Sequence, residues 1–338
     1  MFFQSYYQQV DSMTVKSKEI IGNEMKNEKF SNSSNNKRKY RIMKKYFLLI
    51  IFLLISCKET KEVACQQQTS ESEYIHFLST IKLPTQLDFC GEMIPLDIPE
   101  VRERAEREFY ILLQQPGQII LYLKRSGKYF SMFERILKEE NVPDDLKYLS
   151  VAESALYMAR SPKNAVGLWQ FIPETGRSMG LIIDDLVDER CHPEKSTKAA
   201  IKYLKDGYSK FKSWTLASAG YNMGHVGVSE NLKFQDVKDF FDLFLNEETS
   251  RYILRIVIIK EIMKNPAKYG FHLKQEEFYN TDKYKTISYS SSIENLSDWA
   301  KQNGTTYKDV KLLNPWILKR LLPSPPKSKN WEIAVPEK

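Results

Sequence analysis

Paired metal-binding cysteines are missing from this chain. Its four cysteines, Cys57, Cys65, Cys90 and Cys191, show no CxxC spacing, and His76, His192, His225 and His272 are scattered without ligand spacing. A zinc site is therefore not expected, and no cofactor of another kind is indicated. There is also no phosphate-cradling glycine loop, no HExxH and no nucleophile elbow. These gaps remove P-loop nucleotide chemistry, zinc-protease chemistry and serine-hydrolase chemistry of the α/β type. Long apolar runs are lacking too. The best, Tyr46–Ile55, is about half of the roughly 20 residues that a membrane-spanning helix needs.

Excess charge is absent from most of the chain. The formal balance of +7 sits almost wholly in residues 1–56, with ten Lys/Arg and four Asp/Glu, while the rest holds 40 basic and 39 acidic residues. No domain-scale basic patch is implied, and no nucleic-acid partner is expected. The basic residues of the opening segment lead into the short apolar run and then into Leu54-Ile55-Ser56-Cys57. Those are the proportions of a signal segment. The ending resembles a bacterial lipobox, which implies lipidation at Cys57 and an anchor in the cell envelope, with the outer membrane facing the periplasm as the expected site. Met43 fits a start codon better than Met1, since signal segments are shorter than 56 residues. Cys90 and Cys191 can pair in an exported chain, but three thiols beyond Cys57 cannot all pair with one another.

The rest divides by pattern. Residues 57–90 are mostly polar and read as a tether, with one apolar turn around Ile75–Leu78. Residues 91–275 read as an all-α domain. Val101, Ala105, Phe109 and Leu112 repeat on one helical face, and Tyr129–Leu137, Thr197–Phe211, Val237–Leu245 and Ser250–Met263 look similar. Residues 280–338 change character. "YKTISYS" and "WEIAV" alternate like strands, and two short helical stretches lie between them, giving a β-α-α-β module. The expected fold class is mainly α, with this small module behind.

One residue breaks the pattern. Pro143, Asp144 and Asp145 mark a helix start. Val142, Leu146, Leu149 and Leu156 then form an apolar stripe only if position 153 is counted, and Glu153 stands there. Burial of an unpaired carboxylate is costly and raises its pKa, which suits a proton donor. Pairing with Arg160, or an escape to solvent, is the bland alternative.

The neighbouring residues narrow this. Glu153-Ser154, Gly167-Leu168-Trp169-Gln170-Phe171 and Ala219-Gly220-Tyr221-Asn222 resemble three successive signatures of the lytic transglycosylases with a goose-lysozyme-like fold. The resemblance runs from Ile98 to Tyr269 and takes in "HPEKSTKAAIKYL" and "LNEETSRYILRIV". It implies a lysozyme-like domain acting on peptidoglycan glycan strands, with Glu153 as the catalytic acid. It further implies that Ser154, Gly167, Leu168, Gln170, Tyr221 and Asn222 line the substrate cleft. Trp169 and Phe171 read as core anchors, and Glu174, Asp184 and Asp185 as helix-start and loop acids. His225 reads as an ordinary surface or core histidine.

The implied reaction uses one carboxylate where most glycosidases use two. Glu153 would protonate the oxygen between N-acetylmuramic acid and N-acetylglucosamine, then take a proton from the C6 hydroxyl as it closes on C1. The product is a 1,6-anhydromuramoyl end. The C-terminal module resembles a lysin motif through Leu296, Trp299-Ala300, Asn303-Gly304 and Leu313-Asn314-Pro315. The usual Gly-Asp pair is replaced by Ser290-Ser291-Ser292, which leaves a structural cap and a glycan-binding module both open. A hydrolytic muramidase and a non-catalytic peptidoglycan-binding lipoprotein stand as the rival functions.

Overall fold

The computed structural model describes residues 73–280 and 283–337. The expectations for the signal segment, Met43, Cys57 and Cys65 lie outside them. The tether expected over 57–90 ends early: residues 73–80 are helical, and Leu83, Leu87 and Phe89 are buried in the main core. Short apolar residues between polar ones gave no periodic signal there, because they dock singly rather than along a face.

After the helical residues 73–80 comes a short hairpin, β1 (Asp88–Phe89) and β2 (Glu92–Met93). Cys90 and Gly91 turn it, both at positive φ, as tight hairpin turns require. Helices follow: α1 (Pro99–Leu113), α2 (Pro116–Glu139), α3 (Lys147–Ser154), α4 (Pro173–Ser178), α5 (Pro193–Phe211), α6 (Trp214–Met223), α7 (His225–Gln235) and α8 (Glu247–Lys264). Proline opens α1, α2, α4 and α5, where its missing N–H is no loss. Ser213 and Asn246 cap α6 and α8 with their side chains. The Glu92 carboxylate also accepts the Thr215 N–H at 3.1 Å and the Ser213 hydroxyl at 2.8 Å, placing an anion at the positive end of α6.

Helix α8 is the hub, packing against α1, α3 and α6. Ile253, Leu254, Ile256, Val257, Ile258, Ile259 and Ile262 are all buried, so its middle is wrapped by neighbours on several sides. The helix expected over Val237–Leu245 does not form. Helix α7 ends at Asp236 in a left-handed conformation, and Phe240 and Leu243 enter the core from irregular chain. Cys90 and Cys191 are both free, so the pairing left open by the sequence is not made.

The C-terminal module is β3 (Tyr284–Tyr289), α9 (Leu296–Gln302), α10 (Tyr307–Leu313) and β4 (Trp331–Pro336), with β3 and β4 antiparallel. It has its own core of Leu296, Trp299, Val310, Trp316, Ile333 and Val335. That core is not confined to the module, because Val187 from the long loop before α5 belongs to it. Backbone pairs stitch the two together: Asp188 donates to the Trp316 carbonyl at 2.9 Å and Leu318 to the Leu186 carbonyl at 2.8 Å. The His192 ring stacks on Trp316 at 5.8 Å.

Candidate active site

Glu153 occupies the last turn of α3. The helix stops there because Ala155 and Leu156 both take the left-handed conformation, a conformation that favours glycine. The reversal leaves the Glu153 carboxyl partly buried against α8, where it accepts the Tyr252 hydroxyl at 2.5 Å. The anticipated alternative partner, Arg160, is exposed and bonds Asn164 instead. Burial pushes the Glu153 carboxyl up to about 7. The Tyr252 hydrogen bond and the Arg255 charge oppose the rise, and the Glu248 carboxylate adds to it. Burial and the adjacent Glu153 charge hold the Tyr252 and Tyr221 hydroxyls well above their usual range, so both remain protonated donors.

Opposite stands a tightly knit loop, residues 159–171. Val166 and Phe171 pair across it, Gly167 donates to the Ala159 carbonyl at 2.9 Å, and Gln170 sits at positive φ. Gly167 is also left-handed, and a Cβ there would lie 2.1 Å from the Arg190 carbonyl oxygen, so only glycine fits. Arg190 is the clamp. It is buried, forms a two-pronged pair with Asp188 at 2.9 and 2.7 Å, and donates to the carbonyls of Asn164 and Phe171. A buried guanidinium with four of its five N–H groups bonded holds backbone more rigidly than a surface pair does.

The expected cleft residues are brought together here, but several face inward. Leu168 is fully buried, so its side chain packs in the core. Its carbonyl is within reach of two hydroxyls, Ser150 at 2.9 Å and Ser154 at 2.8 Å. The Ser154 hydroxyl thus links α3 to the loop. Gln170 commits its amide NH₂ to the carbonyls of Ala159 and Gly167. Tyr221 donates to the Trp169 carbonyl at 2.7 Å and packs on Phe171. The Asn222 carbonyl oxygen accepts the Thr249 hydroxyl at 2.8 Å. Trp169 and Phe171 are buried, and Trp169 donates to the Thr197 hydroxyl at 2.8 Å. Half-buried His225 stacks on Tyr203 at 4.1 Å.

Sequence reasoning missed Tyr252, Arg255 and Glu248. They stand in the quoted stretch "LNEETSRYILRIV", but nothing local in it marked Tyr252 as the partner of a residue 99 positions earlier. The usable signal was polar or amphipathic side chains, Glu248, Tyr252 and Arg255, at steps of four and three along the α8 sequence.

With this geometry in place, the comparisons are specific. Residues 130–244 match the Transglycosylase SLT domain, and residues 285–338 match the soluble lytic transglycosylase C-terminal LysM-like domain. Over 296 residues the chain is 28% identical to membrane-bound lytic murein transglycosylase D from Escherichia coli strain K12, covering 81% of this chain and 64% of that relative. The same figures hold for the protein of a second Escherichia coli strain. The chain therefore spans less than two thirds of the length of these curated relatives. Two solved structures are similar to 45% of the chain. One is an inactive mutant of the lytic transglycosylase Slt from Pseudomonas aeruginosa, with 25% identity, TM-score 0.34 and 26% of that chain covered. The other is the 70 kDa soluble lytic transglycosylase of Escherichia coli, with 20% identity, TM-score 0.36 and 27% covered.

Proposed function

From a chain that carries a Transglycosylase SLT domain with a LysM-like domain behind it, we propose a peptidoglycan lytic transglycosylase in which Glu153 is the acid and then the base. One observation carries the reading: a carboxyl at the end of α3 is raised to about 7 by burial and hydrogen-bonded by Tyr252, next to the serine that ties α3 to the braced loop 159–171. A carboxyl poised near neutral pH can give a proton and take one back. In the first step Glu153 protonates the bridging oxygen as the bond from muramic C1 breaks. In the second the C6 hydroxyl closes on C1 and its proton returns to Glu153. No water is consumed, and the carboxyl ends as it began.

Tyr252 and Tyr221 stay protonated throughout and hold the Glu153 side chain and the loop in register. We assign Gly167 to the cleft wall, Leu168 and Ser154 to bracing that wall from behind, and Gln170, Tyr221 and Asn222 to shaping it. The test is mass analysis of digested cell-wall sacculi. Anhydromuramoyl ends support the reading, whereas products heavier by one water identify a muramidase. We also assign a lipid anchor to Cys57. The Leu54–Cys57 motif and the description of the Escherichia coli relatives as membrane-bound support it. Among the described residues no helix is long and apolar enough to cross a membrane.

The hydrogen bond from Tyr252 lowers the Glu153 pKa. Tyr252→Phe is therefore expected to move it further up. Cleavage requires the protonated acid, so the alkaline limb of the pH–rate profile should shift to higher pH. An unshifted limb would mean that this bond does not tune the acid.

A further inference from the structure

A second cavity, of about 510 Å³, shares no residue with the Glu153 site. Helix α5 forms one flank, and its Lys195, Lys198, Lys202 and Lys205 follow steps of three and four, which puts them on one face. Lys329 and Asn330, just before β4, and Trp331, its first residue, line the other side. Three carboxylates also line it: Glu140, Glu189 and Asp206. Glu140 is bound to Lys205 and Glu189 to Lys195, while Lys198 pairs with Glu194. Exposed Lys202 and Lys329 carry no ion pair among the described residues, and neither does the Asp206 carboxylate, so the unpaired groups lining the cavity leave one positive charge in excess. The backbone pairs between residues 186–188 and 316–318 fix the distance between those sides.

We propose that this cavity between the SLT domain and the C-terminal module binds carboxylates of the peptide stems that hang from the glycan strand. The inference rests on peptidoglycan being the substrate. Neutral sugars give no use to a lysine-lined cavity with positive charge in excess, whereas a stem supplies several carboxylates on one short chain. Trp331 and Leu181 provide apolar wall for the stem's side chains. The C-terminal module thereby acquires a role in reading peptide, separate from any reading of sugar.

Binding to purified glycan strands tests this, using the full chain with Glu153→Gln so that strands stay intact. Three ligands are compared: strands with stems, strands stripped of stems with the exposed lactyl carboxylates amidated, and strands whose stem carboxylates are amidated. The added double change Lys202→Glu/Lys329→Glu should weaken binding to the first about tenfold and flatten its salt dependence, and leave the other two unchanged. The milder Lys202→Gln/Lys329→Gln pair should give the same ranking and guards against a folding defect. Equal loss on all three ligands, or no loss on stem-bearing strands, overturns the proposal. The function reading fails separately, by wild-type digestion that yields no anhydro ends. That failure would leave the binding comparison intact.

Discussion

Replacing Glu153 by glutamine should lower wall cleavage by about 10³-fold, within the usual range for losing a positioned general acid, and should make the folded protein more stable at neutral pH. The second effect follows from the direction of its pKa. The folded carboxyl titrates near 7 and its ordinary value is 4.5, so the native state holds this proton more tightly than the unfolded chain. Between those values stability falls as pH rises. Below 4.5 both states are protonated and nothing is lost; above 7 the full penalty of a buried carboxylate is present. Glutamine keeps the shape and an acceptor for Tyr252 without a charge to bury. At pH 8 the variant should gain at most about 3 kcal/mol over the parent, and at pH 4 the gain should vanish. Denaturant titrations at the two pH values decide it. A gain that does not depend on pH would place its cause in packing, and retained cleavage would show that another group is the acid.

Gly167→Ala should be the most damaging small change in the loop. The added carbon would stand 2.1 Å from the Arg190 carbonyl oxygen, in a backbone conformation that alanine resists. Neither partner can yield cheaply, because Arg190 is locked to Asp188 and to the carbonyls of Asn164 and Phe171. A loss of about 3 kcal/mol or more is expected, with cleavage reduced even where the protein is still folded. Gly117→Ala is the matched control. It lies in α2 with nothing within 4 Å of the added carbon, and should be neutral or stabilising by up to about 1 kcal/mol. Thermal melts of the two variants side by side make the comparison. Similar melting temperatures would show that the loop relaxes around the methyl group.

Much of this was legible before any coordinates, and the pattern of what was missed is physical. Glu153 stood out because a helix imposes a short-range rule, and a charged residue in an apolar stripe violates it. The β-α-α-β module was readable because its strands alternate over adjacent residues. Tyr252 was not, since its relation to Glu153 depends on how α8 packs on α3, and no local periodicity encodes that. Ser154, Leu168 and Gln170 were found as members of signatures, but their side chains turned out to hold the loop's shape. A short motif marks where geometry is demanding, and the demand is often met by residues facing away from the ligand. The Val237–Leu245 stretch misled because Phe240 and Leu243 carry helical spacing while entering the core from irregular backbone.

The shared core at the module boundary has a thermodynamic consequence. With Val187 lying among Trp316, Ile317 and Leu322, the 285–338 segment is not a bead on a string: part of its interior is donated by its neighbour. Cut free, that segment would present the Ile317 face to water and lose its backbone partners at Leu186 and Asp188, a heavy burden at a size where folding is marginal. The chain should therefore melt in one cooperative transition, and the excised segment should remain unfolded at temperatures where the whole is native.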